Sequence, residues 1–192
     1  SATTAAGMDG PLGLAVVAGR VLVVYSGNNR VLIWNTVPHA SGTPSDLVLG
    51  QSDFGSGAPN RGGSPYAATL SVPFGFWSDG ERIVVADRAN NRVLIWRRWP
   101  TVNGAPADVV LGQTSSSAVA VGAGAGELHG PTVVSSYMGR LLVADGANNL
   151  ILLWIEFPDV HAAPADSVLG QSRFDTAAAN DDDQDGFPDA SP

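Results

Sequence analysis

Short apolar runs separated by polar, glycine-rich turns make up most of this chain. Val21-Leu22-Val23-Val24 and Val31-Leu32-Ile33-Trp34 are apolar at every position instead of at every second one. A strand apolar on both sides belongs to a sheet covered on both faces. The pattern also recurs. Gly27-Asn28-Asn29-Arg30 leads into the run ending at Trp34, Ala89-Asn90-Asn91-Arg92 into the run ending at Trp96, and Ala147-Asn148-Asn149-Leu150 into the run ending at Trp154, at offsets of 62 and 58 residues. Pro44-Ser45-Asp46 with Val48-Leu49-Gly50-Gln51, Pro106-Ala107-Asp108 with Val110-Leu111-Gly112-Gln113, and Pro164-Ala165-Asp166 with Val168-Leu169-Gly170-Gln171 keep the same offsets. So do Pro11, Pro73 and Pro131, and Arg20, Arg82 and Arg140. Self-similarity at a fixed period identifies a repeat architecture.

Each unit reads as four short strands. In the second they are predicted over 74–78, 82–86, 92–96 and 108–111, rich in Val, Ile, Leu and Trp. Asp79-Gly80 supplies the first turn and the Asn pair the second, because these residues tolerate left-handed geometry. Asp87 and Asp145, just before the Asn pairs, are expected to accept backbone N–H groups of that turn. Small four-stranded sheets stacked face to face in a ring would cover both sides of every strand, which predicts an all-β fold: a β-propeller of four-stranded antiparallel blades, three in this chain. A two-layer sandwich would leave its outer faces wet and would show period-2 alternation. The predicted division is an N-terminal connector (1–10), blade 1 (11–51), a connector (52–72), blade 2 (73–113), a connector (114–130), blade 3 (131–171) and an acidic tail (172–192).

The stretches Val85-Ala86-Asp87-Arg88-Ala89-Asn90-Asn91-Arg92-Val93-Leu94-Ile95-Trp96 and Val143-Ala144-Asp145-Gly146-Ala147-Asn148-Asn149 resemble the core of the NHL repeat, a blade motif of β-propellers, and Pro73-Phe74-Gly75 resembles that family's lead into the innermost strand. The resemblance covers residues 8–171 and bears on fold more than on function. Tyr25 stands where the other units have Asp87 and Asp145, and Leu150 where they have Arg30 and Arg92, so blades 1 and 3 are each expected to lack one turn or inter-blade contact. Closed propellers have four to eight blades, and proteins resembling this one usually have six. Three blades would leave two apolar faces open. The partners expected are therefore further blades of a longer chain, or a second copy closing a six-bladed ring by two-fold symmetry.

Composition narrows the function. The 23 Gly and 13 Pro fit many turns, the absence of Cys excludes disulfides and thiolate chemistry, and the longest apolar run, 150–155, is too short to cross a bilayer. All ten basic residues are Arg, against 18 acids. Five acids lie in the last twelve residues, so residues 1–180 carry a net charge of only −3. An acidic body argues against nucleic acid and anionic membrane as partners. Alanine, glycine and arginine use without Lys points to a GC-rich bacterial source.

Two metal sites come under consideration. Asp181, Asp183, Asp185 and Asp189 fall at positions 1, 3, 5 and 9 of a calcium loop, with Gly186 at position 6 and the Phe187 carbonyl at position 7. The run resembles the calcium-binding Asp repeats of thrombospondin type 3; Pro192 at position 12 leaves it incomplete, and a solvated acidic connector is the competing reading. Asp9 and His129 precede equivalent innermost strands, whose starts would surround one mouth of the central channel and let the two converge on a metal or polar ligand. Some propellers resembling this family hold a catalytic zinc there by three histidines, but only one His is so placed here, and a loop His making local hydrogen bonds is the competing reading. His39 and His161 fall in outer loops, and Trp96-Arg97-Arg98-Trp99 reads as a core strand end followed by exposed arginines. The function expected is a non-enzymatic interaction module or scaffold that binds a protein or small ligand through the long inter-blade connectors, foremost residues 54–66. A metal-dependent lyase or hydrolase working in the channel is the alternative. The thrombospondin-like tail, the first residue Ser and the low charge density point to a secreted or periplasmic protein.

Overall fold

The computed structural model describes residues 3–179. Twelve strands form three separate four-stranded antiparallel sheets. The first comprises β1 (Pro11–Val17), β2 (Arg20–Tyr25), β3 (Arg30–Trp34) and β4 (Leu47–Leu49) in that spatial order. The second comprises β5 (Pro73–Ser78), β6 (Ile83–Asp87), β7 (Arg92–Trp96) and β8 (Val109–Leu111), each bound within one residue of its predicted place. The third comprises β9 (Pro131–Tyr137), β10 (Arg140–Asp145), β11 (Leu150–Trp154) and β12 (Ser167–Leu169). Trp34, Trp96 and Trp154 thus lie in different sheets, which rules out one continuous layer. The second residue of each Asn pair turns left-handed, at φ 51° for Asn29, 52° for Asn91 and 56° for Asn149. Among the described residues no helix is long and apolar enough to cross a membrane.

The continuous apolar runs are explained by what lies on either side of the middle sheet. Ile83, Val85, Leu94, Trp96 and Val110 pack on Leu22, Val24, Val31, Ile33 and Leu49 of the first sheet. Val84, Ala86, Val93, Ile95 and Leu111, on the opposite face, pack on Val134, Leu141, Val143, Leu152 and Trp154 of the third. Alternate residues of one strand therefore serve two cores, and full burial of each Val, Ile or Leu among them contributes about 1.5–3 kcal/mol. The leading strands also meet, β1 with β5 and β5 with β9. A Cβ built on Gly75 would stand 2.3 Å from the Thr132 carbonyl oxygen and 2.9 Å from Val133 Cα, so only glycine lets β5 come this close to β9.

Each sheet junction carries the same polar clamp along the outer strand. The Val48 N–H donates to Asn103 Oδ1 (3.1 Å), and the Val48 carbonyl accepts from the Gly104 N–H (2.8 Å). One unit later the Val110 N–H donates to His161 Nδ1 (3.1 Å), and its carbonyl accepts from the Ala162 N–H (2.9 Å). An aromatic partner repeats too: the Arg20 guanidinium lies 4.3 Å from the centroid of the Trp99 ring, and that of Arg82 lies 4.3 Å from the Phe157 ring.

Candidate functional site

Antiparallel order puts the start of β1, the β2–β3 turn and the end of β4 at one end of the first sheet, as the pairing of Pro11 with Tyr25 shows. The connectors, running from the end of one sheet's fourth strand to the start of the next sheet's first, cross this same end. Repeated side chains fasten them there. Gln51 Nε2 donates to the carbonyls of Asn29 (3.0 Å) and Ala58 (2.9 Å), and Gln113 Nε2 to those of Asn91 (2.8 Å) and Ala120 (2.7 Å). Asn29 Oδ1 accepts the Val72 N–H (2.8 Å), and Asn91 Oδ1 the Gly130 N–H (3.0 Å), tying each turn to the lead-in of the following sheet.

Beneath the connectors sit two fully buried arginines. Arg92 pairs with Asp87 at 2.7 Å with both side chains wholly buried, and its Nη1 and Nη2 donate to the carbonyls of Ser116, Tyr66 (3.1 Å) and Thr69 (2.9 Å). One guanidinium thereby grips the connector on each side of its unit. Arg30 does the same one unit earlier, donating to the carbonyls of Phe54 (2.7 Å), Thr4 (2.9 Å) and Gly7 (3.0 Å). Its Nε donates to the Tyr25 hydroxyl, which in turn donates to the Gly7 carbonyl at 3.1 Å. The first sheet thus keeps the contact it was expected to lack, because a phenol oxygen stands in for a carboxylate as acceptor. Burial pushes the Tyr25 hydroxyl pKa up, against the pull of Arg30, so it stays neutral.

The carboxylates bond differently from the sequence expectation. Asp87 Oδ1 accepts the N–H of Ser71 (2.6 Å), sixteen residues back in the lead-in to β5, and Oδ2 accepts the Asn90 amide (2.7 Å). Asp145 repeats both bonds with the His129 N–H (2.8 Å) and Asn148 (2.7 Å). No guanidinium faces Asp145, since Leu150 occupies the arginine's position, and burial raises its pKa to about 6 against the pull of the His129 N–H and Asn148.

The surface above these anchors is mixed. Tyr66 is exposed with Arg61 set against its ring at 5.4 Å, and Val119 and Val121 stand out from the next connector. Arg61 also donates to the Ala68 carbonyl (2.8 Å) and reaches the Gly104 carbonyl (3.2 Å). Residues 54–66 therefore form an ordered platform rather than a loose loop.

Of the metal candidates, Asp9 is exposed against Gly27, and His129 is half-buried before β9 with its backbone N–H held by Asp145. Among the described residues no group of three or more His, Asp or Glu is placed to hold a metal ion. Asp181, Asp183, Asp185, Phe187 and Asp189 lie outside the described residues. Trp96 is core, its Nε1 donating to the Ala105 carbonyl (2.9 Å), and Arg97 reaches the Asp159 carbonyl of the third unit. His161 joins two sheets through its acceptor nitrogen, a role its loop position alone did not reveal. The gripping role of Arg30 and Arg92 was also missed. Its sequence signal is an Arg opening an otherwise wholly apolar strand, where a charge survives only if saturated with acceptors. Compared with known proteins, the chain matches no family model and no curated protein.

Proposed function

We propose that the three sheets are blades of a β-propeller resembling the NHL-repeat family, and that this arc is a non-enzymatic interaction module whose ligand seats on the connector end. The blade reading is supported by the middle sheet, covered on both faces by like sheets through equivalent residues. One observation carries the binding reading: fully buried Arg30 and Arg92 fix the connectors by their carbonyls and leave side chains such as Tyr66, Val119 and Val121 turned outward. A surface ordered before binding loses little entropy on capture. A protein segment or small molecule suits its blend of aromatic, aliphatic and guanidinium groups better than a polyanion, given the acidic body. Calcium in the Asp181–Asp189 run and a secreted or periplasmic setting belong to the same proposal and rest on the sequence alone.

A peptide-display selection against the full chain tests this reading. Selected peptides should bind at least about 10-fold more weakly to a Tyr66→Ser, Val119→Ser, Val121→Ser variant, as expected when contacts at a recognition surface are truncated. A control altered at the opposite sheet end, Tyr137→Ser with Met138→Ser, should bind them as the parent does. The reverse pattern would move the binding face to that other end. Stoichiometric zinc that disappears in His129→Ala would instead favour a metal-dependent lyase or hydrolase.

A further inference from the structure

Among the described residues the same sheet-to-sheet junction is made twice, and one half of it is left open at each end. In both junctions, one face of a sheet enters the opposite face of the next: Leu22, Val24, Val31, Ile33 and Leu49 do so first, and Val84, Ala86, Val93, Ile95 and Leu111 second. At equivalent positions the third sheet offers Leu142, Ala144, Ile151, Leu153 and Leu169, with Leu169 51% exposed where Leu49 and Leu111 are wholly buried. The receiving face is open on the first sheet. There Met8, Leu12, Leu14, Val21, Val23 and Trp34 line an apolar concavity of about 500 Å³, and Leu14 is 68% exposed.

The polar parts of the junction are split in the same way. Val168 is the counterpart of Val48 and Val110, whose N–H and C=O groups are both clamped by the following unit. Ser41 and Gly42 are the counterparts of Asn103–Gly104 and His161–Ala162. Gly42 already has the left-handed backbone of Gly104 and Ala162, at φ 73° beside 62° and 53°. A Cβ on Gly104 would meet the Gln51 carbonyl oxygen of the preceding unit at 2.7 Å, whereas one on Gly42 meets nothing within 4 Å. Asn149 Nδ2 holds the Ala177 carbonyl as Asn29 and Asn91 hold theirs. Its Oδ1 corresponds to the atoms that accept from Val72 and Gly130, and the matching residue is Gly10, left-handed like both at φ 62°.

We propose that the open face of the third sheet seats on the open face of the first sheet of a second copy of this chain, head to tail. Two chains then make two identical junctions and close a six-sheet ring. The occupant is a second copy because both halves of the missing contact, apolar face and hydrogen-bonding groups alike, are present in this one chain and in the register used twice within it. The inference rests on the blade reading above and not on what the connectors bind, so a failed peptide selection leaves it standing, and a monomer leaves the connector reading standing.

Light scattering and sedimentation on the full chain provide the test. The expected mass is twice 19.7 kDa, and a monomer at tens of micromolar or an open-ended ladder of masses would overturn the proposal. Leu14→Asp and Leu169→Asp place a charge at exposed positions, so each variant should fold, with parental circular dichroism. Each alone should weaken association at least about 100-fold, since a carboxylate would have to be buried unpaired at both junctions. Mixing them should restore a heterodimer through the one junction free of either change. Full dimerisation of either single variant, or no recovery on mixing, would show that the faces do not meet head to tail.

Discussion

The middle and third sheets build the same turn around different charges. In the middle sheet Asp87 binds the Ser71 N–H and Asn90, and Arg92 both neutralises it and holds the connectors. In the third sheet Asp145 makes the corresponding bonds to His129 and Asn148, yet Leu150 leaves it without a guanidinium partner. The first sheet departs in the opposite direction, keeping the guanidinium of Arg30 and replacing the carboxylate by Tyr25. Turn and grip are therefore separable: the carboxylate shapes the turn and its lead-in, the guanidinium clamps the connectors, and only the middle unit couples them as a buried ion pair.

Making the middle sheet resemble the third should have the largest effect. Arg92→Leu strands Asp87 in a site where burial already pushes its carboxyl pKa up and frees the Ser116, Tyr66 and Thr69 carbonyls. Loss of one partner of a buried pair costs about 3–5 kcal/mol. Urea unfolding should show it, and a loss below about 1 kcal/mol would mean that the ion pair does not hold the middle unit together.

Next in size is Gly75→Ala, where the added methyl meets the backbone of β9, while the same change at Gly13 meets the Phe76 ring, at 3.0 Å. Overpacking of this kind costs about 1–3 kcal/mol. The Gly75 variant should lie at the upper end and Gly13→Ala at the lower, because a ring can shift and two strands cannot; equal losses would remove the distinction.

The carboxylate that lacks an arginine should give the third sheet a pH signature. Its folded-state pKa of about 6 lies above the ordinary 3.8, so the folded protein holds that proton more tightly. Its contribution to stability is fully present below pH 3.8, falls as pH rises to about 6, and is constant beyond. Stability of Asp145→Asn and of Leu150→Arg, measured relative to the parent between pH 4 and 7, should rise across that window. A flat difference for both would mean that Asp145 titrates normally.

The smallest effects should separate junctions made from junctions left open. Arg20→Ala and Arg82→Ala remove guanidiniums stacked on Trp99 and Phe157, worth about 0.5–1 kcal/mol each. Arg140 is their exposed counterpart in the third unit, so Arg140→Ala should change stability by less than about 0.5 kcal/mol. Equal losses at all three positions would deny the aromatic contact any role.

Strand boundaries, turn positions and the three-sheet division were legible because period, apolar runs and Asn-Asn pairs are local and survive being read as a string. Contacts between units were not. Asp87 finds the Ser71 N–H across sixteen residues, and nothing in the spacing singles out that donor. Tyr25 replaces Asp, and His161 replaces Asn103, because the geometry asks for an acceptor atom rather than a residue type. Conserved chemistry in changed letters is invisible to a pattern of letters. The connector platform was foreseen as long loops, but its rigidity depends on buried guanidiniums that read as ordinary turn residues.

The clamp that joins Val48 to Asn103–Gly104, and Val110 to His161–Ala162, draws only on immediate neighbours. Duplicating or deleting one whole unit in the gene would therefore add or remove one complete joint and leave the others as they were. A chain built in this way can change length in steps of about sixty residues without relearning how to fold, whereas an insertion of any other size would have to be absorbed in a connector.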